Sequence, residues 1–214
     1  MRCNYDFRHN IGVFTLHSSH LTPHSLLHHR APERNAPLNQ ILMKNSDNIF
    51  LVGLMGAGKS TIGKKLAERL GKTFVDADSE IERRTGATIE LIFDIEGEEG
   101  FRKREAAMLD ELTARSDVVV ATGGGAVLWQ ENRDRLAGRG TVIYLNAPPE
   151  VLARRTESDK TRPLLQTDDR LQRLLELLRE REPFYKEIAD VIIDTDDMPL
   201  RKVVDRIYRS LNSK

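Results

Sequence analysis

Short apolar runs alternate with amphipathic stretches along the chain from residue 48 onward. Strand-sized runs occur at residues 48–52, 72–78, 118–121, 141–145 and 190–194. Between them apolar residues recur at helical spacing, as where Ile62, Leu66 and Leu70 share one face before Gly71. Strands that alternate with helices predict an α/β fold in three layers, in which helices flank a central parallel sheet with right-handed crossovers.

The other periodic segments predict further helices at residues 79–84, 88–94, 98–115, 171–181 and 200–211, and one that ends near Arg155. Residues 156–169 differ from all of these, because they are polar, include Pro163 and show no periodicity. We expect this segment to form a mobile cover, or lid, over a site.

Residues 1–42 have a composition unlike that of the rest of the chain. All six histidines lie between His9 and His29, mixed with proline, asparagine and serine, and no apolar periodicity is sustained. A histidine metal tract and a signal peptide are alternatives, but the spacing fits neither well. We expect a disordered extension, or an early start upstream of Met43, followed by a single domain over residues 43–214.

The charge balance argues against a polyanionic partner. The chain has 33 Lys and Arg against 33 Asp and Glu, so no global field draws it to nucleic acid or to a membrane. Its apolar runs are far shorter than the roughly 20 residues that cross a bilayer. Cys3 is the single cysteine, which fits a reducing compartment. We expect a cytoplasmic monomer that binds small molecules.

Residues 53–60 read GLMGAGKS and match the phosphate-binding pattern G-x-x-x-x-G-K-[ST] between a predicted strand and a predicted helix. Glycines let the backbone amides wrap around phosphates, Lys59 would reach the β- and γ-phosphates, and Ser60 would ligate Mg²⁺. The alternative is a glycine-rich turn without a ligand. The strand and helix on either side favour a nucleotide site.

Asp76 and Asp78 end the second predicted strand, and on an extended backbone both would point to one face. Magnesium near Ser60 would stabilise one carboxylate through water, and a substrate hydroxyl could donate to the other. The alternative is a polar strand end that caps the next helix.

Three consecutive glycines, Gly123, Gly124 and Gly125, directly follow a predicted strand, which suggests a close approach to the backbone there. A plain flexible turn is the alternative. Arg102 and Glu105 lie one helical turn apart and could pair, so that Arg102 would be held to bind a carboxylate. A solvated charged helix is the alternative, and by themselves Arg162 and Arg181 are equally ambiguous.

Taken together, these motifs resemble those of bacterial shikimate kinases in order and approximate spacing, over residues 48–211. The motifs are GLMGAGKST at 53–61, DAD at 76–78, FRKRE at 101–105, GGG at 123–125, RPLL at 162–165 and REPFY at 181–185. The resemblance implies a fold like that of the nucleoside monophosphate kinases, with a core, a substrate-binding helical segment and a lid.

The resemblance also implies roles for particular residues. Catalysis would involve Lys59, Asp78 and Arg162, with Arg162 entering from the lid. Magnesium would be held by Ser60 and Asp76. Shikimate would be bound by Asp78, Arg102, Gly123, Gly124, Gly125 and Arg181, of which the two arginines grip its carboxylate. ATP would be bound by Gly56, Ala57, Gly58, Lys59, Ser60, Thr61, Arg155 and Arg162, with Arg155 and the turn at Asp194 and Thr195 beside adenine.

The implied reaction is transfer of a phosphoryl group from ATP to the 3-hydroxyl of shikimate, which gives shikimate 3-phosphate and ADP in aromatic amino-acid biosynthesis. A kinase of similar fold that acts on gluconate or on a nucleotide is an alternative, as is a nucleotide-dependent binding module without catalysis. The paired arginines and the triple glycine favour a small hydroxylated carboxylate.

Overall fold

The computed structural model describes residues 47–158, 163–167, 169–196 and 198–212. These residues belong to one compact unit, Ile41–Lys214. Arg162 and the expected extension at residues 1–42 lie outside the described residues. Within the described ranges, no helix is both long and apolar enough to cross a membrane.

The described strands form one fully parallel sheet in the order β2-β3-β1-β4-β5. They are β1 (Ile49–Val52), β2 (Thr73–Asp76), β3 (Val118–Ala121), β4 (Thr141–Asn146) and β5 (Val191–Asp194). The helices are α1 (Lys59–Leu70), α2 (Ala77–Thr85), α3 (Ile89–Thr113), α4 (Gln130–Arg139), α5 (Pro149–Thr156), α6 (Arg170–Ile188) and α7 (Leu200–Asn212).

The central strands β1 and β3 are buried along their whole length. Because successive side chains of a strand point to opposite faces, this burial requires cover on both faces of the sheet. The apolar runs therefore read as continuous rather than alternating. The predicted α/β fold, with helices on both sides of a parallel sheet, is confirmed.

Glycine divides the long helix α3 at the place where the sequence predicts a gap between two helices. Gly97 has φ 68° and ψ −179°, which is not helical, and the helical path resumes after it. The two predicted segments, 88–94 and 98–115, therefore correspond to the two arms of a kinked helix.

Two expectations about element boundaries are wrong. Strand β2 ends at Asp76, whose Oδ1 accepts a hydrogen bond from the backbone N–H of Ser79, so Asp78 lies in the first turn of α2 and not on the strand. Helix α6 does not end at Arg181 but runs through Pro183 to Ile188. The proline is exposed, and burial of Tyr185 and Ile188 favours continuation of the helix.

The expected lid also has more apolar packing than its sequence suggests. Thr156 still belongs to α5, and Pro163–Leu165 forms a 3₁₀ turn in which the Leu165 side chain is buried. The described part of the segment is thus anchored on the core, and its mobility stays a prediction.

Candidate active site

The phosphate-binding loop connects β1 to α1. Gly56 and Gly58 have φ values of 83° and 96°, and a Cβ at Gly56 would come within 2.9 Å of Thr156 Cγ2. Glycine is therefore required there both by conformation and by space. The first turn of α1 carries no acidic residue, so the positive end of its dipole is left for an anion.

Lys59 folds back over this loop. Its Nζ donates hydrogen bonds to the carbonyl oxygens of Gly53 at 2.7 Å and of Leu54 at 3.0 Å. The ammonium group is thereby held at the loop where the sequence predicts phosphates.

Ser60 and Asp76 bring two oxygen ligands together at the mouth of the loop. Ser60 Oγ donates to Asp76 Oδ2 at 2.5 Å. Among the described residues, no cluster of three or more His, Cys, Asp or Glu could hold a metal without other ligands. A metal here would need further oxygen ligands, such as phosphate oxygens and water.

Arg102 is buried and held by two carboxylates of its own helix. Its Nη1 donates to Glu105 Oε2 at 2.7 Å, and its Nη2 donates to Glu98 Oε1 at 2.9 Å. Burial opposes the charge of Arg102, but the ion pairs with Glu105 and Glu98 outweigh burial and raise its pKa. Complete burial raises the pKa of Glu105. The predicted Arg102–Glu105 pair is thus present, and it fixes the guanidinium in place.

The glycine loop, residues 123–125, lies against these side chains. A Cβ at Gly125 would lie 2.3 Å from Arg102 Nη2, and a Cβ at Gly123 would lie 2.3 Å from Glu105 Oε1 and 2.9 Å from Asp78 Oδ1. The close approach expected from the sequence is made by the side chains of the site itself. The glycines leave room for Arg102, Glu105 and Asp78.

Arg181 enters the site from α6 and is 2% exposed. Among the carboxylates of the described residues, that of Glu180 lies nearest, with Oε2 3.8 Å from Nε. Among the described residues, its Nε and Nη1 have no hydrogen-bond partner, and neither does Glu105 Oε1. Burial lowers the pKa of Arg181. Buried polar atoms without a partner are few in native proteins and call for an explanation, which a ligand in the cleft would supply.

Arg155 connects the end of α5 to the turn after β5. Its Nη2 donates to the Thr195 carbonyl at 2.6 Å, and its Nη1 lies 3.2 Å from Thr195 Oγ1 and 3.4 Å from the Gly56 carbonyl. The residues expected beside adenine therefore lie next to the phosphate loop.

A single cleft of about 730 Å³ joins these parts. Its walls include every site residue predicted from the sequence that falls in the described ranges, namely Gly56, Ala57, Gly58, Lys59, Ser60, Thr61, Asp76, Asp78, Arg102, Gly123, Gly124, Gly125, Arg155 and Arg181. Arg162, the remaining predicted residue, lies outside those ranges.

Sequence reasoning missed the parts that Glu105 and Tyr185 play beside Arg102 and the glycine loop. The sequence identified Glu105 only as a partner of Arg102. Its other carboxylate oxygen, Oε1, is buried at the cleft and forms no hydrogen bond with a described residue. The hydroxyl of Tyr185 donates to the Gly124 carbonyl. The spacing of four residues between Arg181 and Tyr185 on one helix is the signal that could have found the second.

Comparison with known proteins agrees with this geometry. The family model described as shikimate kinase matches residues 55–212. The shikimate kinase of Halorhodospira halophila is 55% identical over 171 residues, which cover 80% of this chain and 97% of that protein. The shikimate kinase of Nitrosococcus oceani is 56% identical over 164 residues, which cover 77% of this chain and 86% of that protein.

Solved structures give the same result. Shikimate kinase from Acinetobacter baumannii in complex with shikimate is 49% identical, has a TM-score of 0.77, and covers 79% of this chain and 95% of its own. A gluconokinase from Sinorhizobium meliloti shares the fold, with a TM-score of 0.51 and 23% identity. The match covers 78% of this chain and 95% of the gluconokinase chain. By sequence and by fold, the chain belongs to the shikimate kinase family.

Proposed function

We propose that ATP and shikimate bind at opposite ends of this cleft, where the protein phosphorylates the 3-hydroxyl of shikimate. This arrangement is supported by one observation: two buried arginines line the same cleft as Lys59. They are Arg102, which is 6% exposed, and Arg181, which is 2% exposed. Buried guanidinium groups bind a carboxylate strongly, because their charge-assisted hydrogen bonds face little competition from water. Shikimate supplies that carboxylate.

The phosphate end of the cleft suits ATP with Mg²⁺. Ser60 Oγ and Asp76 Oδ2, which lie 2.5 Å apart, are oxygen ligands of the kind that magnesium prefers, and these two residues would hold the ion. When bound, Mg²⁺ neutralises charge on the β- and γ-phosphates. Lys59 and the N-terminus of α1 bind the same phosphates, and Arg155 with Thr195 lies beside the adenine.

Phosphoryl transfer through a loose transition state demands positioning more than strong activation of the nucleophile. Asp78 accepts a hydrogen bond from the shikimate hydroxyl and orients it toward the γ-phosphate. Lys59, together with Arg162 from the lid, stabilises the charge that develops on the transferring group. No covalent enzyme intermediate is required.

The acceptor is tested by an assay of ADP release with shikimate, quinate, gluconate and nucleoside monophosphates offered in parallel. We expect shikimate to give the highest kcat/KM, because gluconate lacks the ring and the monophosphates lack the carboxylate. Quinate has both, but its ring is saturated and carries an additional hydroxyl on the carbon that bears the carboxylate. Faster turnover of gluconate or of a monophosphate would refute the assignment of the acceptor. Gel filtration tests the accompanying proposal that the protein is a monomer. We also propose a cytoplasmic location and no nucleic-acid or membrane partners, and the balanced charge supports the absence of such partners.

The role of Arg102 is tested by paired titrations. Arg102→Ala should weaken shikimate binding by about ten- to a hundredfold and leave ATP affinity nearly unchanged, since a charge-assisted bond to the carboxylate is lost. Lys103→Ala is the matched control, because Lys103 is exposed and forms its ion pair with Glu99 at the same helical spacing. Equal losses for both ligands would argue against the proposed division of the cleft.

A further inference from the structure

The two arginines at the acceptor end of the cleft are held in different ways. Arg102 forms hydrogen bonds with Glu98 and Glu105, which fix its guanidinium group directly. Arg181 has a carboxylate only at 3.8 Å, and its Nε and Nη1 form no hydrogen bond with a described residue. The place of Arg181 is therefore set by the position of its helix, α6.

One buried hydroxyl connects α6 to the opposite wall of the cleft. Tyr185 follows Arg181 by one helical turn, on the same buried face of α6. Its hydroxyl donates to the carbonyl of Gly124, the middle residue of the glycine loop. Burial raises the pKa of Tyr185 well above its ordinary value, so the hydroxyl remains a proton donor throughout the range in which a kinase is assayed.

The ring of Tyr185 has little freedom to move. It stacks on Tyr144 of β4, with ring centroids 5.0 Å apart and ring planes inclined by 25°. Because the side chain is completely buried, a shift of its hydroxyl would require a shift of the helix itself.

We infer that Tyr185 is a positioning residue, whose bond to Gly124 sets the separation between Arg181 and the glycine loop across the acceptor. This inference rests on the proposed role of Arg181 in binding the shikimate carboxylate. Without the bond, α6 can move away from the loop, and Arg181 loses its alignment with a carboxylate that Arg102 still holds. Tyr185 is not among the described residues that line the cleft, so ATP binding does not depend on it.

Steady-state kinetics of Tyr185→Phe test the inference. The variant removes one oxygen atom and keeps the stacked ring, so its cost is a small part of the stability of a domain and it folds. We expect KM for shikimate to rise about tenfold, with kcat and KM for ATP within about twofold of the wild type. Tyr144→Phe is the matched control, since it deletes the other hydroxyl of the same stacked pair, which donates to Asn146 Oδ1.

The double variant Arg181→Ala/Tyr185→Phe separates a positioning role from a structural one. If Tyr185 acts through Arg181, its loss should change KM for shikimate by no more than about twofold once Arg181 is absent. A full tenfold change in that background, an equal rise in both KM values, or no rise in the single variant would overturn the inference. An unchanged shikimate KM in Arg181→Ala alone would instead refute the proposed role of Arg181, and the inference with it.

Discussion

Gly125→Ala is expected to disable the acceptor end of the cleft while leaving the fold intact. The added Cβ would lie 2.3 Å from Arg102 Nη2 and 2.4 Å from its Cζ and Nη1, whereas ordinary contacts begin near 3.4 Å. The guanidinium must therefore retreat by about 1 Å. It is held by Glu98 and Glu105, so the movement also costs hydrogen bonds. Gly125 has no positive φ, so the backbone itself accepts alanine.

A displacement of about 1 Å at a group that positions the substrate lowers kcat/KM by about a hundredfold, which corresponds to roughly 2.7 kcal/mol. We expect kcat/KM for shikimate to fall by that factor, with KM for ATP nearly unchanged. Steady-state assays with each substrate varied in turn measure both quantities on one protein. Gly125→Ala should remain folded, because the overlapping atoms are the end of a side chain and not backbone.

Two alanine controls accompany the variant. Gly138 lies exposed in α4 with nothing within 4 Å of an added Cβ, so Gly138→Ala should leave kinetics unchanged and stabilise the helix by up to about 1 kcal/mol. An added Cβ at Gly124 would lie 3.5 Å from Met55 N, which is an ordinary contact. Gly124→Ala should therefore lower kcat/KM for shikimate less than Gly125→Ala does. A Gly125→Ala enzyme with shikimate kinetics within threefold of the wild type would refute the reasoning.

Three further predictions concern the rest of the molecule. Lys59→Ala should lower kcat by about a hundredfold or more, because a point charge on the transferring phosphate is lost; near-normal single-turnover rates would contradict this. Ser60→Ala should raise the Mg²⁺ concentration needed for half-maximal rate, and an unchanged magnesium titration would argue against Ser60 as a ligand. Hydrogen bonds from Arg84 and then Arg115 lower the pKa of Glu111 from 4.5 to about 2, so the stability they supply is present above pH 4.5 and is lost as the pH falls toward 2. Arg84→Met should therefore lower the denaturant midpoint more at pH 6 than at pH 2.5, and an equal loss at both pH values would refute this.

Local rules account for the parts of the site that the sequence predicts correctly. The phosphate loop is recognisable because its chemistry is carried by contiguous residues between a strand and a helix. Helical spacing places Arg102 and Glu105 where they can pair, and the structure excludes the alternative of a solvated charged helix at Arg102 because that side chain is buried. The triple glycine predicts that other atoms approach the backbone closely, because glycine leaves space there. The sequence does not reveal that the side chains of Arg102 and Glu105 fill this space.

Contacts between distant segments account for what the sequence does not reveal. The place of Asp78 on α2 depends on a cap by Asp76 that competes with continuation of the strand. Continuation of α6 past Pro183 depends on burial of Tyr185 against Tyr144 of β4, which outweighs the local tendency of proline to end a helix. The Tyr185–Gly124 bond joins residues 61 positions apart, and no periodicity encodes it.

The central claim is that the cleft divides into a phosphate end at Lys59 and a carboxylate end at Arg102 and Arg181. A crystal structure with MgADP and shikimate tests it most directly. The account predicts the shikimate carboxylate within about 3 Å of both guanidinium groups, with its ring hydroxyls toward Asp78. A carboxylate bound at the phosphate loop or beside Arg155, with Arg102 and Arg181 left unliganded, would contradict it.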